Sequence, residues 1–420
     1  MPLPLSPAAR RHMRVFGAHQ FLDRFATGLV VAATVLALQG RGLDVGAIGA
    51  LFAVYAAVAM AAELPFGGLA DGIGRKPVFL LATGASLAAL LVFVSSASFA
   101  PLAASFALVG LGRALRSGTL DAWYVERLRR LAPEVPLRPL IAWAQTAAFA
   151  GLGLGAIAGG FLPGLVPGNA PDAPLVGRTV HDLSYATAMA VTAAVLLYTL
   201  FLVHEPPRDR SLRAVGRVAR AVPATITDGA RLAVAAPALR LLLAALALML
   251  FATNPVEVLW PARLSAMLAP ERAAAAVGLL SASYFLLIAL GAHLAARLGA
   301  RGGRDALMLG AVLAGLAVAQ VLLATQGTPW GFAGAFGLFS ILLGLSEAPA
   351  ASLLHAHAPD DRRSTLLSIL SLAKQGGALV GLLALGGLGD RFGVPASWVA
   401  GALALLAATL LAAALARRTG

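Results

Sequence analysis

The 420-residue chain contains no cysteine. That excludes a disulfide framework, a thiolate metal site and a cysteine nucleophile, and it leaves nothing to say about redox compartment. Charge is scarce too. Asp, Glu, Lys and Arg make up 12% of the residues, about half the share of an ordinary soluble domain. Acids are the scarcer sign, 19 against 32 bases, for a formal net charge of +13. Three catalytic patterns are also missing: Gly-x-Ser-x-Gly, His-Glu-x-x-His, and a glycine loop ending in Lys and Ser or Thr. Hydrolase, zinc-protease and ATP-driven chemistry therefore have no residues to carry them, and no enzyme is expected. His355 and His357 have no third ligand in register, so neither a metal nor a cofactor is expected.

Apolar residues fill the space. They form 59% of the chain, and mean hydropathy is +0.84, more apolar surface than one soluble core can hide. The expected fold is an all-α membrane protein with twelve spans, drawn at 14–38, 45–68, 78–98, 101–125, 140–162, 183–203, 237–260, 274–296, 305–324, 330–353, 365–388 and 397–416. The short basic start, Met1 to Arg14, runs into an apolar stretch interrupted by His19, Gln20, Asp23 and Arg24. That is unlike a cleaved signal peptide, and it reads as the beginning of span 1.

The cations follow the membrane rather than a nucleic acid. With this drawing, 22 of the 32 Lys and Arg fall on the side of the two termini. The positive-inside rule then makes both termini cytoplasmic. The longest loop on that side, 204–236, carries six arginines and divides the chain into six-span bundles at 1–203 and 237–420. Anionic lipid attracts such a segment without a specific partner.

The halves echo one another at an offset of 225 to 226 residues. Gly118-Thr-Leu-Asp121-Ala122 recurs as Gly344-Leu-Ser-Glu347-Ala348, and Gly151 and Gly155 recur as Gly377 and Gly381. Nested repeats of this kind place a small-molecule site at the midplane between the halves.

One polar turn organises the chain: Gly67-Gly68-Leu69-Ala70-Asp71-Gly72-Ile73-Gly74-Arg75-Lys76-Pro77, set between spans 2 and 3. It resembles the loop between helices 2 and 3 of the major facilitator superfamily, Gly-x-Leu-Ala-Asp-x-x-Gly-Arg-Lys. Worn copies stand at Leu294 to Arg301 and, on the opposite side, at Gly386 to Gly393. In span 5, Gly151, Gly155, Gly159 and Gly160 resemble the Gly-x-x-x-Gly-Pro-x-x-Gly-Gly series of that superfamily's drug and proton antiporters, with Ala156 in place of the proline. Small residues at this spacing also serve close helix packing alone. Arg113 resembles the embedded arginine of the antiporters' fourth helix, although Ser117 stands where that family has glycine.

The resemblance implies a proton-coupled secondary transporter that exports a small organic molecule or drug by alternating access, as a monomer. Ionisable groups inside spans are costly and mark function or pairing. Asp23, Arg113 and Lys374 all lie about 12–13 Å in from the cytoplasmic ends of their spans. Asp23 is expected to carry the proton with Arg113 as its partner; the alternatives are a permanent structural pair, or Glu257 as the acid. His19, Gln20, Arg24, Arg116, Gln145, Asn254, Lys374 and Gln375 are the candidate cavity residues. A gate is expected from Glu63, Gly67, Asp71, Gly74, Arg75 and Lys76, with Arg75 reaching Asp121 and Arg301 reaching Glu347; Asp71 should lie near the start of span 11. Glu257, after Asn254-Pro255, is expected at a kinked outer end of span 7. Because cations outnumber Asp23 near the cavity, a proton symporter or uniporter for an organic anion stays open, as does a receptor or scaffold that transports nothing.

Overall fold

The computed structural model describes residues 5–67, 69–117, 119–166, 178–205, 227, 231, 236–298, 304–357 and 363–419. These residues form helices and turns with no strand. Twelve helices are long and apolar enough to cross a bilayer: Pro7–Gly40, Val45–Glu63, Arg75–Ser95, Phe99–Leu131, Leu137–Leu165, Asp182–Leu202, Pro237–Ser265, Pro270–Leu298, Asp305–Thr325, Pro329–His357, Leu366–Phe392 and Val394–Arg418. They are spans 1 to 12 below. A helix satisfies its own backbone hydrogen bonds, which is why such runs fold this way in lipid.

Every expected span is present, and several run longer. Span 1 begins at Pro7 because the Ser6 hydroxyl accepts the Ala9 N–H and proline suits the first helical position. Span 4 continues past residue 125 as Thr119–Leu131, whose last turns carry Arg129 and Arg130. Span 7 passes through Pro255 and Pro261 without ending. Glu257 therefore lies about two turns inside the helix, not at a kinked terminus as the sequence led one to expect.

The chain forms two compact units. The first comprises Met1–Arg41, Ala61–Arg220 and Ala274–Ala282. In it span 1 packs along span 5 and against span 6, and span 3 packs against spans 4 and 6. Gly151, Gly155 and Gly159 face the backbone carbonyls of Phe21, Phe25 and Leu29, where no Cβ would fit. Gly160, on another face of span 5, meets the backbone of Ala274 and Gly278.

The second unit comprises Gly42–Met60, Ala221–Ala273 and Ser283–Gly420. Here span 7 packs along span 11 and against span 12, and span 9 packs against spans 10 and 12. Gly377 and Gly381 face the carbonyls of Ala247 and Phe251. Each of these four residues stands 226 positions after its counterpart in the first unit, so the repeat seen in the sequence is also a repeat of backbone contacts. At the copy of the polar turn that follows span 11, the Asp390 carboxylate accepts the Gly46 N–H at 2.7 Å, capping the start of span 2.

Candidate functional site

In the first unit the polar side chains of span 1 converge with those of spans 3, 4 and 6. His19 and Asp23, one helical turn apart, are both buried. Asp23 is ion-paired with Arg116. Arg116 also donates to Ser86 Oγ at 3.1 Å, and its guanidinium lies 5.3 Å from the Phe79 ring centre. His19 Nε2 is 3.0 Å from Thr199 Oγ1, and its ring meets Phe79 edge-on at 4.9 Å. Beside this cluster Gln20 donates its amide to Asp121 at 3.0 Å. The arrangement holds one buried carboxylate against one guanidinium, a pair that a proton could replace.

Two expectations are corrected here. The partner of Asp23 is Arg116 rather than Arg113, which is exposed. Residues three apart lie about 60° apart on the same helix face, so their spacing leaves both as candidates, and the structure selects Arg116. Asp121 is taken by Gln20, not by Arg75. Arg75 instead pairs with Glu126 at 2.5 Å. Its N–H and that of Lys76 donate to Glu205 at 3.0 and 2.9 Å, so that a carboxylate caps the start of span 3 where the helix dipole favours a negative charge. Gly74 supports this entry with φ +100°, a conformation closed to most side chains. Lys76 Nζ donates to the Leu200 carbonyl at 2.7 Å.

The other sequence candidates are scattered. Arg24 and Gln145 are exposed, and Glu63 is half-buried. Gly67 ends the helix that carries span 2. The Asp71 side chain and all of Arg301 lie outside the described residues, so the expected contacts of these two residues do too.

In the second unit Tyr284 of span 8 donates its hydroxyl to Glu257 Oε2 of span 7 at 2.8 Å. Tyr284 stacks on Phe336 with ring centres 5.6 Å apart, and Trp260 lies 4.7 Å from the same ring. Lys374 donates to Glu347 at 3.3 Å, and Gln375 to Ser371 at 3.0 Å. Asn254 is half-buried. Among the described residues no acid or histidine cluster can hold a metal ion.

The sequence reading missed several partners. Tyr284 was signalled only by two serines and a phenol breaking an apolar run. Glu126 and Glu205 stand among the cations at span ends. At the far end of the first unit, Arg41 and Asp182 form an ion pair of 2.7 Å with side chains 1% and 0% exposed. Asp182 also accepts the N–H groups of Arg178 and Thr179, and Arg41 lies 4.6 Å above the Phe93 ring.

Comparison with known proteins bears on the fold. Residues 242–420 match the profile of the Major Facilitator Superfamily. No curated protein sequence is significantly similar to the chain. Solved structures resemble it over nearly its whole length. The nucleoside transporter NupG is 13% identical with TM-score 0.76, covering 96% of this chain and 98% of that one. A peptide transporter, POT, in complex with sulfate is 18% identical with TM-score 0.70, covering 98% and 95%. A bacterial homolog of the human lysosomal transporter Spinster is 14% identical with TM-score 0.68, covering 99% and 98%. Over nearly its whole length, then, the chain has the fold of these solved transporters, and residues 242–420 carry the sequence pattern of the Major Facilitator Superfamily.

Proposed function

We propose that this protein is a proton-coupled secondary transporter that exports a small organic molecule, with both termini in the cytoplasm of a bacterial cell. The observation that carries the reading is the buried Asp23–Arg116 pair. Asp23 can accept a proton only when Arg116 lets go, so protonation is tied to a rearrangement of span 1 against span 4. In the second unit a neutral hydroxyl holds Glu257, which can exchange a proton without breaking an ion pair. Two acids with such different partners supply the two steps that coupling needs. Export rests on the likeness of the span 5 glycines to the antiporter series. A second reading, symport of an organic anion, is favoured by the cations Arg24, Arg116 and Lys374; transporters of nucleosides and peptides share the fold.

The experiment is solute movement in proteoliposomes under an imposed pH gradient, with counterflow of nucleosides, peptides and cationic drugs to find the substrate. Asp23→Asn should abolish gradient-driven movement while counterflow persists. A variant that still concentrates solute against its gradient would make Asp23 structural and leave Glu257 as the coupling acid.

A further inference from the structure

On the terminus-bearing side of the first unit, two adjoining hollows of about 380 and 410 Å³ open between the start of span 1, the end of span 4 and the residues that end and follow span 6. Each falls within the roughly 300–1,000 Å³ usual for small-molecule sites. They share Trp123, Arg127, Leu131 and His204. We propose that together they bind one anionic phospholipid, with the headgroup phosphate among Arg11, Arg127 and Arg130 and the acyl region against Leu131 and Leu202.

Charge is the first support. Both acids that line the first hollow are already engaged: Glu126 is paired with Arg75, and Glu205 caps span 3. Arg11, Arg127 and Arg130 are exposed, and none has an acid at ion-pair distance among the described residues. Three guanidiniums are left facing the opening, a geometry suited to the forked recognition of phosphate oxygens. Arg127 is already oriented, because one of its nitrogens donates to the His204 carbonyl at 2.9 Å.

The walls decide which phosphate. The hollow is floored by apolar groups, and its rim residue Leu202 continues into Phe201 and Leu200, which are 42%, 71% and 42% exposed. Large apolar side chains exposed in a row at the end of a span face lipid, and here they lead into the basic opening. Trp123 sits at the join of the two hollows with its indole N–H on the His204 carbonyl at 3.1 Å, a fixed reporter of what enters them. A soluble phosphate has no use for that apolar ramp, whereas an anionic lipid fits both ends. The inference rests on the membrane placement of the spans and not on the proposed coupling or direction of transport.

The test reads Trp123 directly. In detergent micelles, phosphatidylglycerol brominated on its acyl chains should quench tryptophan fluorescence at a concentration at least tenfold lower than brominated phosphatidylcholine. That excess should vanish in Trp123→Phe. It should fall to the phosphatidylcholine level in R127Q/R130Q and weaken in R11Q, whose substitution lies on a different helix; both variants change exposed side chains, and size exclusion checks their folding. Equal quenching by the two lipids, or a phosphatidylglycerol preference that survives loss of the arginines, overturns the proposal. Displacement of brominated phosphatidylglycerol by millimolar inorganic phosphate or inositol hexaphosphate would reassign the site to a soluble phosphate. None of these readouts involves transport, so they stand apart from the test of coupling.

Discussion

The two units place their helices in the same register yet hold their membrane acids by different means. Gly151 meets Phe21 as Gly377 meets Ala247, and Gly155 meets Phe25 as Gly381 meets Phe251. A contact of backbone on backbone leaves no room for any side chain, so the repeat keeps it. The side chains behind that contact have diverged in pairs. At the positions matching Asp23 and Arg116 the second half has Met249 and Leu342; at those matching Glu257 and Tyr284 the first half has Val31 and Val58. Each polar pair is present whole or absent whole. That is what the energetics require, since removing one partner leaves a buried polar group unsatisfied, or in the ion pair an uncompensated charge, while removing both leaves an apolar contact.

The sharpest way to break this comparison is to convert one pair into its counterpart. Arg116→Leu alone should cost about 3–5 kcal/mol, and Asp23→Met added to it should recover most of the loss. In the second unit Tyr284→Phe, which removes a neutral hydroxyl, should cost only about 1–3 kcal/mol. Thermal unfolding in detergent reads all three. A double variant no more stable than the single one would mean that the first unit cannot adopt the apolar solution used by the second.

The glycines test the shared part. Gly151→Ala and Gly377→Ala should each cost about 1–3 kcal/mol, because each added methyl overlaps a carbonyl and forces the helices apart. Gly153→Ala and Gly376→Ala, with nothing within 4 Å of the new Cβ, should lie within about 1 kcal/mol of the parent. If the costs at Gly151 and Gly377 differ clearly, the two contacts are equivalent in register but not in tightness.

A pH-dependent difference is expected at His181, just before span 6, where the second half has Ala407. Burial pushes the His181 pKa from 6.5 down to about 4, against the nearby Asp182 carboxylate and with help from Arg41. The unfolded chain therefore takes up a proton first. Stability is complete above about pH 6.5 and falls as pH drops towards 4. Between pH 7.5 and 5, His181→Asn should lose fewer degrees of Tm than the parent, and identical slopes would remove His181 from the account.

The twelve spans were legible because each is an apolar run bounded by charge or glycine, and the internal repeat was legible because its glycines cannot be replaced. Helix rotation was not legible. These spans are apolar nearly all round, so no polar face tells which side of span 4 meets span 1. That is why Arg113 and Arg116, three residues apart, could not be ranked, and why Arg75 found Glu126 and Glu205 instead of Asp121. The depth of Glu257 was misjudged for another reason. Pro255 reads as a helix end in water, but here the helix continues through it to Ser265.

The Asp23–Arg116 pair also sets a timetable for the nascent chain. Its members are separated by 93 residues, and ribosomes add about 5–20 residues per second. For about 5–20 s, span 1 exists with a carboxylate whose counterion has not yet been made, in surroundings where an unpaired Asp costs about 2.5–3.5 kcal/mol. Span 1 thus cannot settle until span 4 has followed it, and it depends on the insertion machinery until then.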